Sequence, residues 1–130
     1  MEQFRQNVDA SQAAAAWQRW QEKQRRYLEL GWNQQSSMDF LMDVSSPIEG
    51  TVLEIGAGKG GMTRTLLKQG AAVTAVDISE EALRENLLIT SHCGLADRVS
   101  YYKADATSLD FPKASFDLIV GCYVLHHLEH

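Results

Sequence analysis

The chain has 130 residues, which is enough for one modest domain and too few for two. Hydrophobic residues make up 45% of it and charged residues 22%, as in an ordinary globular protein. The formal net charge of -5 argues against a nucleic-acid backbone as the main partner, because phosphate binding normally requires a basic face. The short basic stretch Lys23–Arg26 is interpreted as the solvated face of a helix.

Cysteine usage and hydropathy both indicate a protein of the cytoplasm. Cys93 and Cys122 form no CxxC pair and no disulfide framework, which is typical of a reducing compartment. No apolar run approaches the length of a membrane span, and the first residues are polar. We therefore expect a cytoplasmic protein with no membrane partner.

Residues 1–46 are predicted to form a helical extension without strands. An aromatic stripe at helical spacing predicts a helix over Gln12–Leu30, capped by Ser11 and ended by Gly31. A second, shorter helix is predicted over Met38–Val44. Three tryptophans are interpreted either as docking this extension on a sheet or as a lid over a bound ligand: Trp17, Trp20 and Trp32.

Residues 47–130 are predicted to form an α/β core, because short apolar strands alternate with helices. One helix pattern ends at Gly70, and Ser79 is placed to cap the next. Asp117 is interpreted as the start of a strand rather than a ligand contact. This alternation indicates a three-layer, doubly wound α/β fold with a mainly parallel sheet. The predicted strands are TVLEIG (51–56), AAVTAVDIS (71–79), RVSYYKADA (98–106) and FDLIVGCYVL (116–125).

A glycine loop, Gly56–Gly61, follows the first predicted strand, where doubly wound sheets bind their ligands. Glycines there permit positive φ and close approach, and the N–H groups that begin the next helix favour an anionic group. A P-loop is excluded, because Lys59 precedes Gly60 instead of following the last glycine. The dinucleotide fingerprint GxGxxG is present as Gly56, Gly58 and Gly61, but this spacing also occurs in unrelated turns.

A third interpretation adds Glu54, an acid inside an otherwise apolar strand. A carboxylate beside the glycine loop would repel a pyrophosphate and favour a ligand that carries a positive charge. Here the chain resembles the class I methyltransferases that use S-adenosylmethionine, whose first motif is (D/E)xGxGxG. Acids also lie at the ends of the next two predicted strands, and FDLIVGCYVLHHLEH is similar to the family's fourth strand and its sequel. The resemblance is carried by Glu54, Gly56, Gly58, Gly60, Asp77 and Asp105.

The resemblance implies S-adenosylmethionine as cofactor and S-adenosylhomocysteine as product. The glycine loop would pack against the methionyl part, with Glu54 acting through water or orienting the loop and the ammonium group. Asp77 would accept both ribose hydroxyls, while Asp105 and Ala106 would hold the adenine. The backbone of Gly121–Tyr123 would border the reactive methyl group. The cofactor-binding residues implied in this way are Glu54, Gly56, Ala57, Gly58, Gly60, Asp77, Ile78, Asp105, Ala106 and Cys122.

The sequence constrains the methyl acceptor mainly by exclusion. The family's acceptor motif (D/N)PP(Y/F) is absent and GCYV stands in its place, which argues against methylation of flipped DNA bases or peptide glutamine. A small-molecule acceptor is therefore expected. His126 is a candidate catalytic base. No metal site is predicted for His126 and His127, because adjacent side chains point in different directions.

Two other functions stay open at this point. GxGxxG with Asp77 also fits a fragment of an NAD(P)-dependent oxidoreductase, although Glu54 opposes that hypothesis. The other is a non-catalytic module that binds S-adenosylmethionine or S-adenosylhomocysteine. The resemblance implies three further strands beyond His130, and without them cofactor binding could persist while turnover is lost. We accordingly expect a fragment, or a second chain that supplies those strands, and self-association through the exposed edge of the fourth strand.

Overall fold

Five strands and three α-helices make up the part of the chain that this computed structural model describes, residues 2–30, 50–105 and 116–121. The strands are β1 (Glu2–Phe4), β2 (Gly50–Ile55), β3 (Ala71–Asp77), β4 (Val99–Lys103) and β5 (Leu118–Gly121). The helices are α1 (Ala10–Glu29), α2 (Gly61–Lys68) and α3 (Glu80–His92), and a 3-10 helix spans Ala96–Arg98. The predicted helix Met38–Val44 lies outside the described residues, as do Gly31 and Trp32.

The sheet has the strand order β1-β4-β3-β2-β5. Strands β2, β3, β4 and β5 are parallel, and β1 is antiparallel to β4. The chain runs outward from β2 through β3 to β4 and then returns to the other side of β2 with β5. The strand order therefore reverses at β2, so the glycine loop after Ile55 lies at the crevice where such sheets bind ligands. The mainly parallel α/β architecture predicted from the sequence is confirmed.

Both faces of the central strands are buried. Successive side chains of a strand point to opposite faces, so each strand contributes to two clusters. Val52 and Val73 pack with residues of α2 and α3 in one cluster. Leu53, Ile55 and Val76 form a second cluster on the opposite face. Within the described ranges, helices cover only the first face, and the predicted third layer concerns residues outside them.

Strand β1 corrects the expectation that the N-terminal extension contains no strand. It pairs antiparallel with β4, with Gln3 opposite Tyr102. Such pairing uses backbone hydrogen bonds to the edge of an existing sheet, so the added segment needs no apolar alternation of its own. The prediction was therefore wrong for a reason that lies in tertiary structure.

The start of α1 also differs from the prediction, because its N-cap is Asp9 and not Ser11. Oδ1 of Asp9 accepts hydrogen bonds from the backbone N–H groups of Ser11 at 2.8 Å and Gln12 at 3.1 Å. The Ser11 hydroxyl also donates to this carboxylate and, with those N–H groups, lowers the pKa of Asp9. Asp9 has extended backbone angles, as an N-cap requires, and Ser11 belongs to the first turn.

Helix α1 packs on α3 rather than on the sheet. Trp17 and Trp20 flank this contact, and Trp17 stacks on His92 with 6.0 Å between ring centroids. The interpretation that these tryptophans dock the extension on the sheet was therefore wrong about the partner, which is α3, and the lid stays a prediction. Of the helices described, none is both long and apolar enough to cross a bilayer. The buried contact between the two helices consists of Ala13, Ala16, Leu88 and Ile89.

Candidate functional site

The glycine loop turns sharply across the end of β3. The N–H groups of Gly56 and Ala57 both donate to the carbonyl of Val76, at 2.8 and 3.0 Å. A positive φ strains any residue that has a Cβ, which is why glycine is required here. The expectation of positive φ is confirmed at three positions: Gly56 (+72°), Gly58 (+57°) and Gly60 (+97°).

Asp77, the last residue of β3, fastens the glycine loop to the end of its own strand. Its Oδ2 accepts a hydrogen bond from the N–H of Gly58 at 2.8 Å, and its Oδ1 accepts one from Ser79 at 2.8 Å. A carboxylate has about four lone-pair sites, so both oxygens can accept further hydrogen bonds. Ser79 in turn caps α3 by accepting from the N–H of Ala82 at 3.1 Å, as predicted.

Glu54 lies beneath the glycine loop, on the face of the sheet that the helices cover. It is 1% exposed, and its Oε1 accepts a hydrogen bond from the hydroxyl of Thr63 in α2. Burial raises the pKa of Glu54 to about 8, so the carboxyl is largely protonated at pH 7. The structure thus joins Glu54 to α2, while its predicted contact with the cofactor stays a prediction.

Asn86 of α3 is the centre of a buried polar network that the sequence analysis missed. Its Nδ2 donates to the carbonyl of Gly58 at 3.3 Å and to Thr63 Oγ1 at 3.1 Å. Its Oδ1 accepts from the hydroxyls of Thr90 at 3.0 Å and Tyr101 at 2.8 Å. Because Thr63 donates onward to Glu54, one chain of hydrogen bonds runs from α3 through α2 to β2.

A signal for this network was present in the sequence. Asn86 falls three residues after Leu83 and one turn before Thr90, on the stripe of α3 that is buried. A polar residue on a buried stripe requires a partner, since an unpaired buried amide costs about 1–3 kcal/mol. The sequence could therefore have indicated that Asn86 is paired, but not with which groups.

Arg64 of α2 is a second residue that the sequence analysis did not single out. Its Nη1 donates to the carbonyl of Lys59 in the glycine loop at 2.9 Å and to Thr90 Oγ1 at 3.2 Å. Burial lowers the pKa of Arg64 to about 10, which leaves it charged at neutral pH. Arg64 and Asn86 therefore hold two successive carbonyls of the glycine loop from below.

The ends of β3 and β4 bring the remaining described residues to the same edge of the sheet. The N–H of Ala104 donates to the carbonyl of Asp77 at 3.1 Å. The chain after β4 therefore runs beside the end of β3, and Asp105 is the next residue along it. Asp105 is exposed, and Ile78 is 66% exposed. Three predicted residues lie outside the described ranges: Ala106, Cys122 and His126. Residues 2–30, 50–105 and 116–121 contain no group of three or more side chains able to hold a metal ion.

Comparison with known proteins gives consistent matches. The profile of the family described as "Methyltransferase domain" matches residues 52–130. Phosphoethanolamine N-methyltransferase 3 from Arabidopsis thaliana is 41% identical over 86 residues, which cover 64% of this chain and 17% of that protein. Demethylmenaquinone methyltransferase from Tropheryma whipplei is 34% identical over 79 residues, 61% of this chain and 31% of that protein. The chain thus spans less than a third of the length of either relative.

A solved structure agrees with these matches. The S-adenosylmethionine dependent methyltransferase from Mesorhizobium loti has a TM-score of 0.58 and 26% identity, over 72% of this chain and 41% of that chain. The family profile begins at Val52, inside β2. Helix α1 therefore precedes the matched segment, although it packs on α3 within it.

Proposed function

The chain belongs to the methyltransferase domain family, whose cofactor is S-adenosylmethionine, and on that premise we propose that it is the cofactor-binding part of an enzyme that methylates a small molecule. The observation that carries the proposal is the position of Asp77. Its carboxylate lies at the end of β3, next to the strand where the order reverses, and accepts a hydrogen bond from the glycine loop. Its spare lone pairs suit a ligand with two neighbouring hydroxyls.

The residues present fit this cofactor. A Cβ built on Gly58 would meet no heavy atom within 4 Å, so there is open space beside the glycine loop for the methionyl part. Asp77 can accept the two ribose hydroxyls on the oxygens that already accept the N–H groups of Gly58 and Ser79. Ile78 offers an exposed apolar surface next to that carboxylate, and Asp105 follows the neighbouring strand. These groups match the ribose and adenine of a nucleoside.

Apart from a proposed base, the chain's own residues bind and orient rather than react. S-adenosylmethionine, when bound, supplies an activated methyl group on a sulfonium, ready for in-line displacement. Asp77 would fix the ribose, Asp105 and Ala106 the adenine, and the backbone near Cys122 would border the methyl group. Positioning of this kind can supply much of the lowering of the activation barrier for such a transfer. His126 is proposed as the base for acceptors that must lose a proton.

The small-molecule acceptor is supported by the sequence and by the names of two relatives. The motif (D/N)PP(Y/F) is absent, and GCYV stands at that place. The Arabidopsis relative is named for phosphoethanolamine and the Tropheryma relative for demethylmenaquinone, both small molecules. Transfer of label from S-[methyl-³H]adenosylmethionine to these two compounds, to bulk protein and to DNA would test the proposal. Label in protein or DNA alone would contradict it.

Calorimetric titration with S-adenosylhomocysteine, NAD and NADP tests the cofactor. We expect micromolar binding of S-adenosylhomocysteine alone, and loss of at least about tenfold in affinity in Asp77→Ala, which removes charge-assisted hydrogen bonds. Asp97→Ala is the matched control, because Asp97 is exposed and precedes β4, at the amino-terminal ends of the parallel strands and away from Asp77. Binding of NAD or NADP in place of S-adenosylhomocysteine, or of none of the three, would overturn the proposal.

Location and self-association are also proposed. The cytoplasm is supported by the absence of cysteine pairing motifs in the sequence. Self-association is supported by β5, which pairs with β2 along one edge and carries Ile119 with 57% of its surface exposed. Sedimentation velocity at increasing concentration should show assembly that Ile119→Lys weakens, since a charge on an edge strand blocks pairing. Identical sedimentation of both forms would contradict this proposal.

A further inference from the structure

Arg64 is a buried cation that joins three separate elements. It is 5% exposed, and none of the carboxylates in the described ranges forms an ion pair with it. Its Nη1 bonds the carbonyl of Lys59 in the glycine loop and Thr90 of α3. Its guanidinium carbon lies 4.7 Å from the ring centroid of Trp20 in α1. The charge is therefore compensated by a carbonyl, a hydroxyl and an indole face, while Nη2 is buried with no hydrogen-bond partner among the described residues.

The indole is the contact whose loss would most disturb this arrangement. A desolvated guanidinium is stabilised by the negative face of tryptophan more than by any other aromatic ring. Without that face, the buried charge would keep only two neutral oxygen partners among the described residues, and its desolvation would favour rotation toward solvent. Rotation would break the bond to Lys59 and release one side of the glycine loop.

We propose that Arg64 is a positioning residue for the cofactor, held in place by Trp20, so that docking of helix α1 sets the geometry of the glycine loop. Helix α1 precedes the segment that the family profile matches. The contact between Trp20 and Arg64 nevertheless gives this helix a part in cofactor binding. The inference rests on the proposed function, because the affinity that it predicts is for S-adenosylhomocysteine.

Trp20→Leu and Trp17→Leu form a matched pair for the test. Both tryptophans are half-buried in the same contact between α1 and α3, but Trp17 faces His92 while Trp20 faces Arg64. Calorimetry would measure binding of S-adenosylhomocysteine and of 5′-methylthioadenosine, which lacks the amino-acid end. We expect Trp20→Leu to weaken S-adenosylhomocysteine about tenfold and 5′-methylthioadenosine less than about threefold. Trp17→Leu should change both by less than about twofold, and Trp20→Phe should restore most of the affinity.

The outcomes separate this inference from the proposed function. If the unaltered chain fails to bind S-adenosylhomocysteine, the proposed function fails and the inference with it. If the unaltered chain binds but the two leucine variants behave alike, or Trp20→Leu weakens both ligands equally, only the inference is overturned. Arg64→Lys gives a second test with the charge retained. It should lower affinity for S-adenosylhomocysteine selectively, because an ammonium cannot bond Lys59 and Thr90 in the geometry of the guanidinium fork.

Discussion

Oδ2 of Asp77 accepts a hydrogen bond of 2.8 Å from the backbone N–H of Gly58. This bond ties the end of β3 to the loop that follows β2, while Oδ1 accepts from Ser79 at the entrance to α3. One carboxylate therefore holds three segments of the crevice together and still has lone pairs for a ligand. Loop geometry and ligand binding depend on the same charge.

Asp77→Asn should lower both stability and affinity for S-adenosylhomocysteine. The amide presents an NH₂ group to one of the two N–H donors. Loss of the partly buried Gly58 bond costs up to about 1–3 kcal/mol, and loss of the exposed Ser79 bond costs less because water replaces it. Loss of the charge should weaken S-adenosylhomocysteine about tenfold or more. Thermal unfolding and calorimetry would measure the two effects, with the exposed Asp97→Asn as control. Unchanged affinity would exclude Asp77 as a ribose ligand.

Gly60→Ala should be more destabilising than Gly70→Ala, although both glycines have nearly the same φ, +97° and +101°. Each substitution carries the cost of a left-handed residue, about 1–2 kcal/mol. A Cβ on Gly60 would also collide with Asn86 Oδ1 and lie 2.5 Å from Arg64 Nη1, whereas one on Gly70 meets nothing within 4 Å. We expect an excess of about 1–3 kcal/mol for Gly60→Ala in chemical denaturation. Equal losses would mean that this collision is relieved without strain.

Glu54→Gln should flatten the dependence of stability on pH. The pKa of Glu54 is about 8 in the folded chain against an ordinary value of 4.5, because burial favours the neutral form. Between these values the folded state binds more protons than the unfolded state, so stability falls as pH rises. The slope from this one group is at most about 1.4 kcal/mol per pH unit. The contribution of Glu54 to the free energy of unfolding is fully present below pH 4.5 and is lost progressively as the pH rises to about 8.

Chemical denaturation from pH 5 to pH 9 would measure this effect. The difference in free energy of unfolding between Glu54→Gln and the unaltered chain should shift in favour of the variant as pH rises. Glu81→Gln is the control, since Glu81 is an exposed acid in the first turn of α3. A constant difference across this range would show that Glu54 is ionised in the folded chain.

Asn86→Leu should be severely destabilising despite the similar size of the two side chains. It removes the partner of the Tyr101 and Thr90 hydroxyls and of the Gly58 carbonyl, each costing about 1–3 kcal/mol if left unpaired. We expect a loss of more than about 3 kcal/mol in the free energy of unfolding. Arg84→Leu, on the exposed face of the same helix, should change it by less than about 0.5 kcal/mol. A comparably small loss in both variants would show that the network rearranges around leucine.

The glycine loop could be located from the sequence because its signals are local. Glycines between a β-branched run and a helix pattern define a turn, whichever partners surround it. Ser79 as the cap of α3 and Asp117 as the start of β5 were predictable for the same reason. Asp117 indeed pairs with Thr51, accepting its N–H at 2.9 Å, just before β5 begins.

The surroundings of Glu54 could not be predicted. The sequence placed an acid beside the glycines but did not say which face of the sheet it occupies or which helix covers that face. Contact with Thr63 and the raised pKa both follow from α2 packing on that face. The pairing of β1 and the docking of α1 on α3 are likewise long-range contacts that leave little trace in local pattern.

The sequence by itself determined the alternation of strands and helices from β2 to β5, the glycine loop and the acids at the strand ends, because turn chemistry and hydrophobic periodicity act over a few residues. Only the tertiary structure decided that Asp77 bonds Gly58, that Asn86 and Arg64 hold the loop from below, and that Trp20 faces Arg64. These contacts join residues as much as 44 positions apart in the chain, from Trp20 to Arg64. Their partners are selected by burial, which leaves each polar group only the neighbours that packing provides.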